Sequence, residues 1–144
     1  MESSQVTQSP QHSDAAPTRN ILRLALALYV VFLTWALLSP DPWALFRTRE
    51  PGPKKPWPPY LAWLANDKVH HATAYGILTA LLLGATPWPP AAALAAAAAH
   101  GGAMEILQQW FPPRSMELMD WIADLSGAFG VLLIYRLLPR RRSD

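Results

Sequence analysis

VHHATAYGILTALLLGATPWPPAAALAAAAAHGGAM, residues 69–104, contains no Asp, Glu, Lys or Arg. A small water-soluble domain has too little interior to hide so long an uncharged run, so the stretch reads as embedded in a bilayer. One helix over it would extend about 54 Å, nearly twice the hydrocarbon thickness of roughly 30 Å. Pro87-Trp88-Pro89-Pro90 lies in its middle, and such a cluster must stop a helix. The run therefore divides into two antiparallel spans, predicted at about 67–86 and 91–110.

Outward from this pair, Phe111-Pro112-Pro113 ends the third span and Trp121–Leu138 supplies a fourth, before the basic tail Pro139–Asp144. Toward the N-terminus, Ile21–Leu38 (ILRLALALYVVFLTWALL) is a first span interrupted only by Arg23. A cleaved signal peptide fits it poorly, because such segments have a shorter apolar core and a small-residue cleavage site. Residues 1–19 are polar, contain Pro10 and Pro17, and are expected to be a disordered cytoplasmic tail. Residues 39–66 form a loop rich in proline, with a short interfacial helix conceivable at Pro59–Asn66. Six of the seven tryptophans (Trp43, Trp57, Trp63, Trp88, Trp110 and Trp121) fall at or beyond predicted span ends, where amphipathic rings meet headgroups. The fold class expected is all-α: a polytopic bundle of four transmembrane helices.

Composition agrees. Of 144 residues, 51% are hydrophobic and 15% charged, and the mean hydropathy of +0.09 averages apolar spans with polar ends. With no cysteine, disulfides and thiolate chemistry are excluded. A net charge of +2 without a basic–aromatic segment argues against nucleic acid as a partner. An even number of spans puts both termini on one side. Arg19, Arg23, Arg136, Arg140, Arg141 and Arg142 lie with the termini; Arg47, Arg49, Lys54, Lys55, Lys68 and Arg114 lie opposite. If Lys68 and Arg114 belong to a site, the remaining imbalance places both termini in the cytoplasm. The alanine-rich third span permits close backbone approach and predicts an interior place in the bundle.

Because consecutive spans alternate in direction, the ionisable residues meet at one membrane face. Asp67, Lys68 and His71 begin the second span; Glu105 and Gln108 end the third; Arg114 lies in the connection; Asp120 and Asp124 begin the fourth. Asp67, His71 and Tyr75 are four apart and share one helical stripe. Carboxylates in hydrocarbon cost at least a few kcal/mol, so these groups are expected to face inward, paired with Lys68, Arg114 or His71. Four carboxyls outnumber two permanent cations, so either His71 is charged or a carboxyl holds a proton. Such pairs also serve simply to fix helix register, a reading that competes with a functional one. His71, Glu105 and Asp124 form a hard N/O donor set, but no HExxH-type spacing supports a metal, and no metal or cofactor is expected. His100, beside Gly101-Gly102, is expected to bond a neighbouring helix as a neutral ring. His70, about 100° around the helix from His71, is expected at the interface.

These residues, in this order, resemble the VanZ-like family of small bacterial membrane proteins. That family reads roughly DKxxHxxxY, then GxxxExxQ, then R, then DxxxN followed by small residues. Here the matches are Asp67-Lys68, His71 and Tyr75; Gly101, Glu105 and Gln108; Arg114; Asp120 and Gly127. They cover about residues 67–133, nearly half the chain. Asp124 stands where the family usually has Asn, which adds a negative charge, and the second small residue after Gly127 is Gly130. The resemblance implies a multi-span inner-membrane protein of the bacterial cell envelope, and the family's founding association is with reduced susceptibility to the glycopeptide teicoplanin.

Three functions follow as expectations. In the first, an outward-facing pocket of Asp67, Lys68, His71, Tyr75, Glu105, Gln108, Arg114, Asp120 and Asp124 binds a lipid-linked or lipophilic ligand, with Lys68 and Arg114 holding an anionic group. In the second, the protein is a membrane-embedded enzyme acting on a lipid-linked phosphate or glycan. Glu105 or Asp124 is then the base, His71 the proton donor or a metal ligand, and Arg114 the clamp. Transport ranks last, since four spans are few for a monomeric carrier. Membrane lipids are the expected partners.

Overall fold

The computed structural model describes residues 15–40, 58, 66–112 and 116–139. Every regular element among them is an α-helix: α1 (Ala15–Leu38), α2 (Asp67–Ala85), α3 (Pro90–Gln108) and α4 (Leu118–Leu137). The all-α expectation holds. Most of the proline-rich loop with Trp43, Trp57 and Trp63, residues 59–65 of the short interfacial helix conceivable at Pro59–Asn66, the cation Arg114 and the basic end of the tail lie outside the described residues.

Local chemistry accounts for the helix ends. α1 begins at Ala15, inside the stretch read as an irregular tail through residue 19, because Ala-Ala opens a helix at low cost and Pro17 falls in the first turn, where an N–H is not needed. Asn66 caps α2, its side-chain oxygen accepting from the Lys68 N–H, and Asp67 complements the positive helix end. Pro89 and Pro90 stop the preceding turn and open α3, a position where a missing N–H is harmless. α4 starts at Leu118, three residues before the expected Trp121. Trp121 is thus one turn inside its helix, and its indole N–H donates to the Ala98 carbonyl of α3 at 3.0 Å. It ties two helices together where a headgroup contact was expected, because the ring lies on the face of α4 turned to α3.

α2 and α3 each touch all three other helices, whereas α1 and α4 do not touch one another. The section is a diamond with α2 and α3 on its short diagonal. The expected interior place of α3 is therefore shared with α2, which buries the larger side chains Tyr75, Leu78 and Leu82, against Ala93, Ala97 and Gly101 of α3. The Tyr29 hydroxyl donates to the Ala74 carbonyl at 2.9 Å, and Gln108 Nε2 donates to the Leu37 carbonyl at 3.1 Å. These bonds fix α1 against the central pair.

Among the described residues two helices, Pro17–Leu38 and Leu118–Leu137, are long and apolar enough to cross a membrane. They are the outer corners of the diamond, and only 6% and 22% of their most apolar windows are buried within the molecule. Ile21, Leu24, Leu28, Val31 and Phe32 of α1 and Phe129, Leu133, Ile134 and Leu137 of α4 all face outward. α2 and α3 fall short of the same measure. α2 opens with Asp67, Lys68, His70 and His71, and α3 interrupts its alanines with His100 and Glu105.

The most intimate contact joins the parallel helices α2 and α4. A Cβ on Gly127 would lie 1.8 Å from the Ala72 carbonyl oxygen and 2.8 Å from its Cα. Ala72 and Gly76 on α2, with Ala123 and Gly127 on α4, repeat at four-residue spacing, the small-residue pattern that lets backbones meet.

Candidate functional site

The close approach at Gly127 brings the first turns of α2 and α4 together, and the last turn of α3 closes the third side. His71, Glu105, Asp120 and Asp124 are 5% exposed or less. His71 Nδ1 and Asp124 Oδ1 are 2.8 Å apart, a hydrogen bond in which the ring donates to the carboxylate. On the other side of the ring, Nε2 lies 3.9 Å from Asp67 Oδ2 and 3.8 Å from Asp120 Oδ2. Asp120 uses its second oxygen, Oδ1, to accept from Lys68 Nζ. Lys68 also donates to Glu117 Oε2 at 2.7 Å.

Glu105 accepts the Glu117 backbone N–H at 2.9 Å through Oε2. A carboxylate from α3 thereby serves the amino end of α4, which has no side-chain cap of its own. The other oxygen of Asp124 is packed against Gly101, where a Cβ would come within 2.7 Å of Oδ2 and 3.2 Å of the Tyr75 ring. Gly101 is small because Asp124 and Tyr75 occupy its side-chain space.

Of the nine residues expected in the pocket, Asp67, Lys68, His71, Glu105, Asp120 and Asp124 meet here. Tyr75 lies beside Asp124, but its hydroxyl bonds His100 Nδ1 at 2.9 Å. The other nitrogen of His100, Nε2, bonds Thr34 Oγ1 of α1 at 3.1 Å. A neutral ring satisfies both contacts by donating from one nitrogen and accepting at the other, so His100 links α1, α2 and α3. Gln108 is buried but turned to α1. Arg114 lies outside the described residues.

Glu117 was absent from the expected set. With α4 predicted from Trp121, it read as part of a connection; its place three residues before Asp120, one helical turn away, was the available signal. Glu117 also changes the role of Lys68. An ammonium held by two carboxylates has little positive charge left for an anionic ligand.

Among the described residues two triads have potential metal-ligand atoms all within 4.8 Å of one another: His71, Glu105 and Asp124, and Asp67, His71 and Asp120. Beside Glu105 an apolar groove of about 220 Å³ runs between α3 and α4, lined by Gly102, Ile106, Met116, Leu118 and Trp121. Fold and site together define an all-helical bundle with a buried His–carboxylate centre at one end and outward apolar faces. Comparison of the chain with protein-family models, with curated proteins and with solved structures gives no match.

Proposed function

We propose that this chain is a multi-pass protein of the bacterial cytoplasmic membrane, of the VanZ-like type, whose polar end binds the head of a lipid-linked or lipophilic ligand of the envelope. All four helices cross the bilayer in this reading, with both termini in the cytoplasm. Its support is the inside-out distribution of polarity: apolar side chains cover the outer corners while the charged groups of α2, α3 and α4 are turned to one another. α2 and α3, 19 residues each, are about 28 Å long, close to the hydrocarbon thickness.

The observation that carries the ligand reading is the groove at Glu105. It places an apolar channel, suited to an acyl or prenyl chain, directly against a buried cluster of ionisable groups. An amphiphile needs that adjacency. The test is to purify the protein in nanodiscs made from its host's lipids and identify retained lipids by mass spectrometry. Enrichment of a particular amphiphile, abolished by filling the groove with Ile106→Trp, is the expected result. Retained lipids matching the bulk bilayer in both proteins would refute the reading.

Because the chain has no cysteine, topology is open to single-cysteine labelling. Lys68→Cys and Arg114→Cys are both expected to react with an impermeant reagent from outside the cell; reaction from opposite compartments would end the four-crossing arrangement.

A membrane-embedded enzyme is the second reading, favoured by the His71–Asp124 bond. A buried carboxylate orienting an imidazole is the arrangement of a positioned general base. Product formation from isolated membrane lipids, lost in His71→Ala, would establish catalysis; absence of any conversion would exclude this second reading for those lipids.

A further inference from the structure

We propose that Asp67, His71 and Asp120 form a site for one divalent transition-metal ion, held ready by Asp124 from behind. The argument begins with the imidazole. Its Nδ1 proton is donated to Asp124 Oδ1 at 2.8 Å, and Asp124 is only 1% exposed. In the neutral ring this bond fixes the tautomer, so Nε2 carries the lone pair. Nε2 lies 3.9 Å from Asp67 Oδ2 and 3.8 Å from Asp120 Oδ2. Both separations exceed a hydrogen bond.

This nitrogen of a residue 4% exposed therefore lies near two carboxylate oxygens without hydrogen-bonding to either. A ring lone pair and two carboxylate oxygens at this spacing repel one another, and either a proton on Nε2 or a bound cation relieves that repulsion. Lys68 is not that cation, since its ammonium sits on Asp120 Oδ1 and Glu117. Donors held at about 2.0–2.2 Å from a tetrahedral ion are roughly 3.3–3.6 Å apart, so a bound ion draws these three atoms together by a few tenths of an ångström.

The surroundings have the sign and the architecture such an ion requires. Asp67, Glu105, Glu117, Asp120 and Asp124 face Lys68 and His71, so the cluster has a formal excess of negative charge whichever form His71 takes. A carboxylate accepting from the rear N–H of a ligating imidazole is the usual outer partner in metal sites; it fixes the ring and raises its basicity. One imidazole and two carboxylates suit ions of the Mn²⁺ or Zn²⁺ kind.

The alternative triad of His71, Glu105 and Asp124 is the poorer one, because Asp124 Oδ1 and Glu105 Oε2 already accept hydrogen bonds. No local motif announces the site, because its ligands come from two helices separated in sequence by α3. An ion with three protein ligands keeps positions open at the mouth, where an anionic headgroup could coordinate. Metal binding does not depend on the groove's occupant, so the two proposals fail separately.

The test uses the full chain in detergent, stripped with EDTA and titrated with Mn²⁺. Bound ion is read from the loss of the free-ion paramagnetic resonance signal and from elemental analysis after gel filtration. One Mn²⁺ per chain is expected, displaced by Zn²⁺. Asp120→Asn and His71→Ala should abolish it, His70→Ala should leave it unchanged, and Asp124→Asn should weaken it by roughly 10–100-fold. Lys68→Met, which frees the second oxygen of Asp120, should bind Mn²⁺ at least as tightly. That variant guards against misfolding as the common cause of loss. No retained ion in the wild type, the result for a simply protonated His71, overturns the proposal; so does equal binding in Asp120→Asn or weaker binding in Lys68→Met.

Discussion

Replacing Gly127 with alanine should do more damage than the same change at any other described glycine. The new Cβ would lie 1.8 Å from the Ala72 carbonyl oxygen, 2.5 Å from its carbon and 2.8 Å from its Cα. All three atoms are backbone, so no side chain can turn aside. A tolerable carbon–oxygen approach is about 3.3 Å, which requires α2 and α4 to part by about 1.5 Å there. The His71–Asp124 bond, 2.8 Å long and one turn away, does not survive such a displacement. Overpacking costs about 1–3 kcal/mol, and losing a buried hydrogen bond to a charged group about 1.5–3 kcal/mol. Gly127→Ala should therefore lose roughly 3–5 kcal/mol. The assay is reversible unfolding in mixed micelles of mild detergent and SDS, followed by tryptophan fluorescence.

Two other glycines calibrate it. At Gly76 the added carbon meets Val131 Cγ2 at 3.4 Å, an ordinary contact, and at Gly130 it meets nothing within 4 Å. Both alanine variants should equal or exceed the parent, by up to about 1 kcal/mol, since alanine lowers the entropy lost on helix formation. If Gly127→Ala unfolds with Gly130→Ala, the helices do not meet at this point and the account of the site's assembly fails.

Gly101→Ala should displace the Asp124 carboxylate, which lies 2.7 Å from the new atom, and destabilise by about 1–3 kcal/mol; if the site needs that carboxylate, Mn²⁺ affinity should fall with it. Trp121→Phe removes only the donor to the Ala98 carbonyl and should cost about 0.5–1.5 kcal/mol in the same unfolding assay. His100→Leu leaves the Tyr75 hydroxyl without its ring partner and should cost about 1–3 kcal/mol. Adding Tyr75→Phe should restore much of that loss, and strict additivity of the two would show that the bond carries no coupling.

Much of the arrangement was legible in the chain because two of its signals are strong and local. The prolines at 87, 89 and 90 divide the uncharged run, and α2 and α3 end and begin around them. Alternating direction then dictates that the starts of α2 and α4 and the end of α3 share one face, and Asp67, Lys68, His71, Glu105, Asp120 and Asp124 do meet there. Helix onsets were less legible. Ala15–Arg19 and Leu118–Asp120 are helical, although one stretch looked like a polar tail and the other like a connection. In both, first-turn chemistry outweighs average polarity.

The sequence by itself determined four helices and the end of the bundle at which charge collects, since proline placement and hydrophobic runs act over neighbouring residues. Partner choice was decided only by the tertiary structure. Lys68 joins Glu117 and Asp120, Asp124 takes Nδ1 of His71, and Tyr75 and Thr34 share His100, because a missing side chain at Gly127 lets two backbones touch and sets the rotation of α4 against α2. Helical periodicity gives each residue its angle on its own helix; the angle between helices is fixed by contacts among residues tens of positions apart.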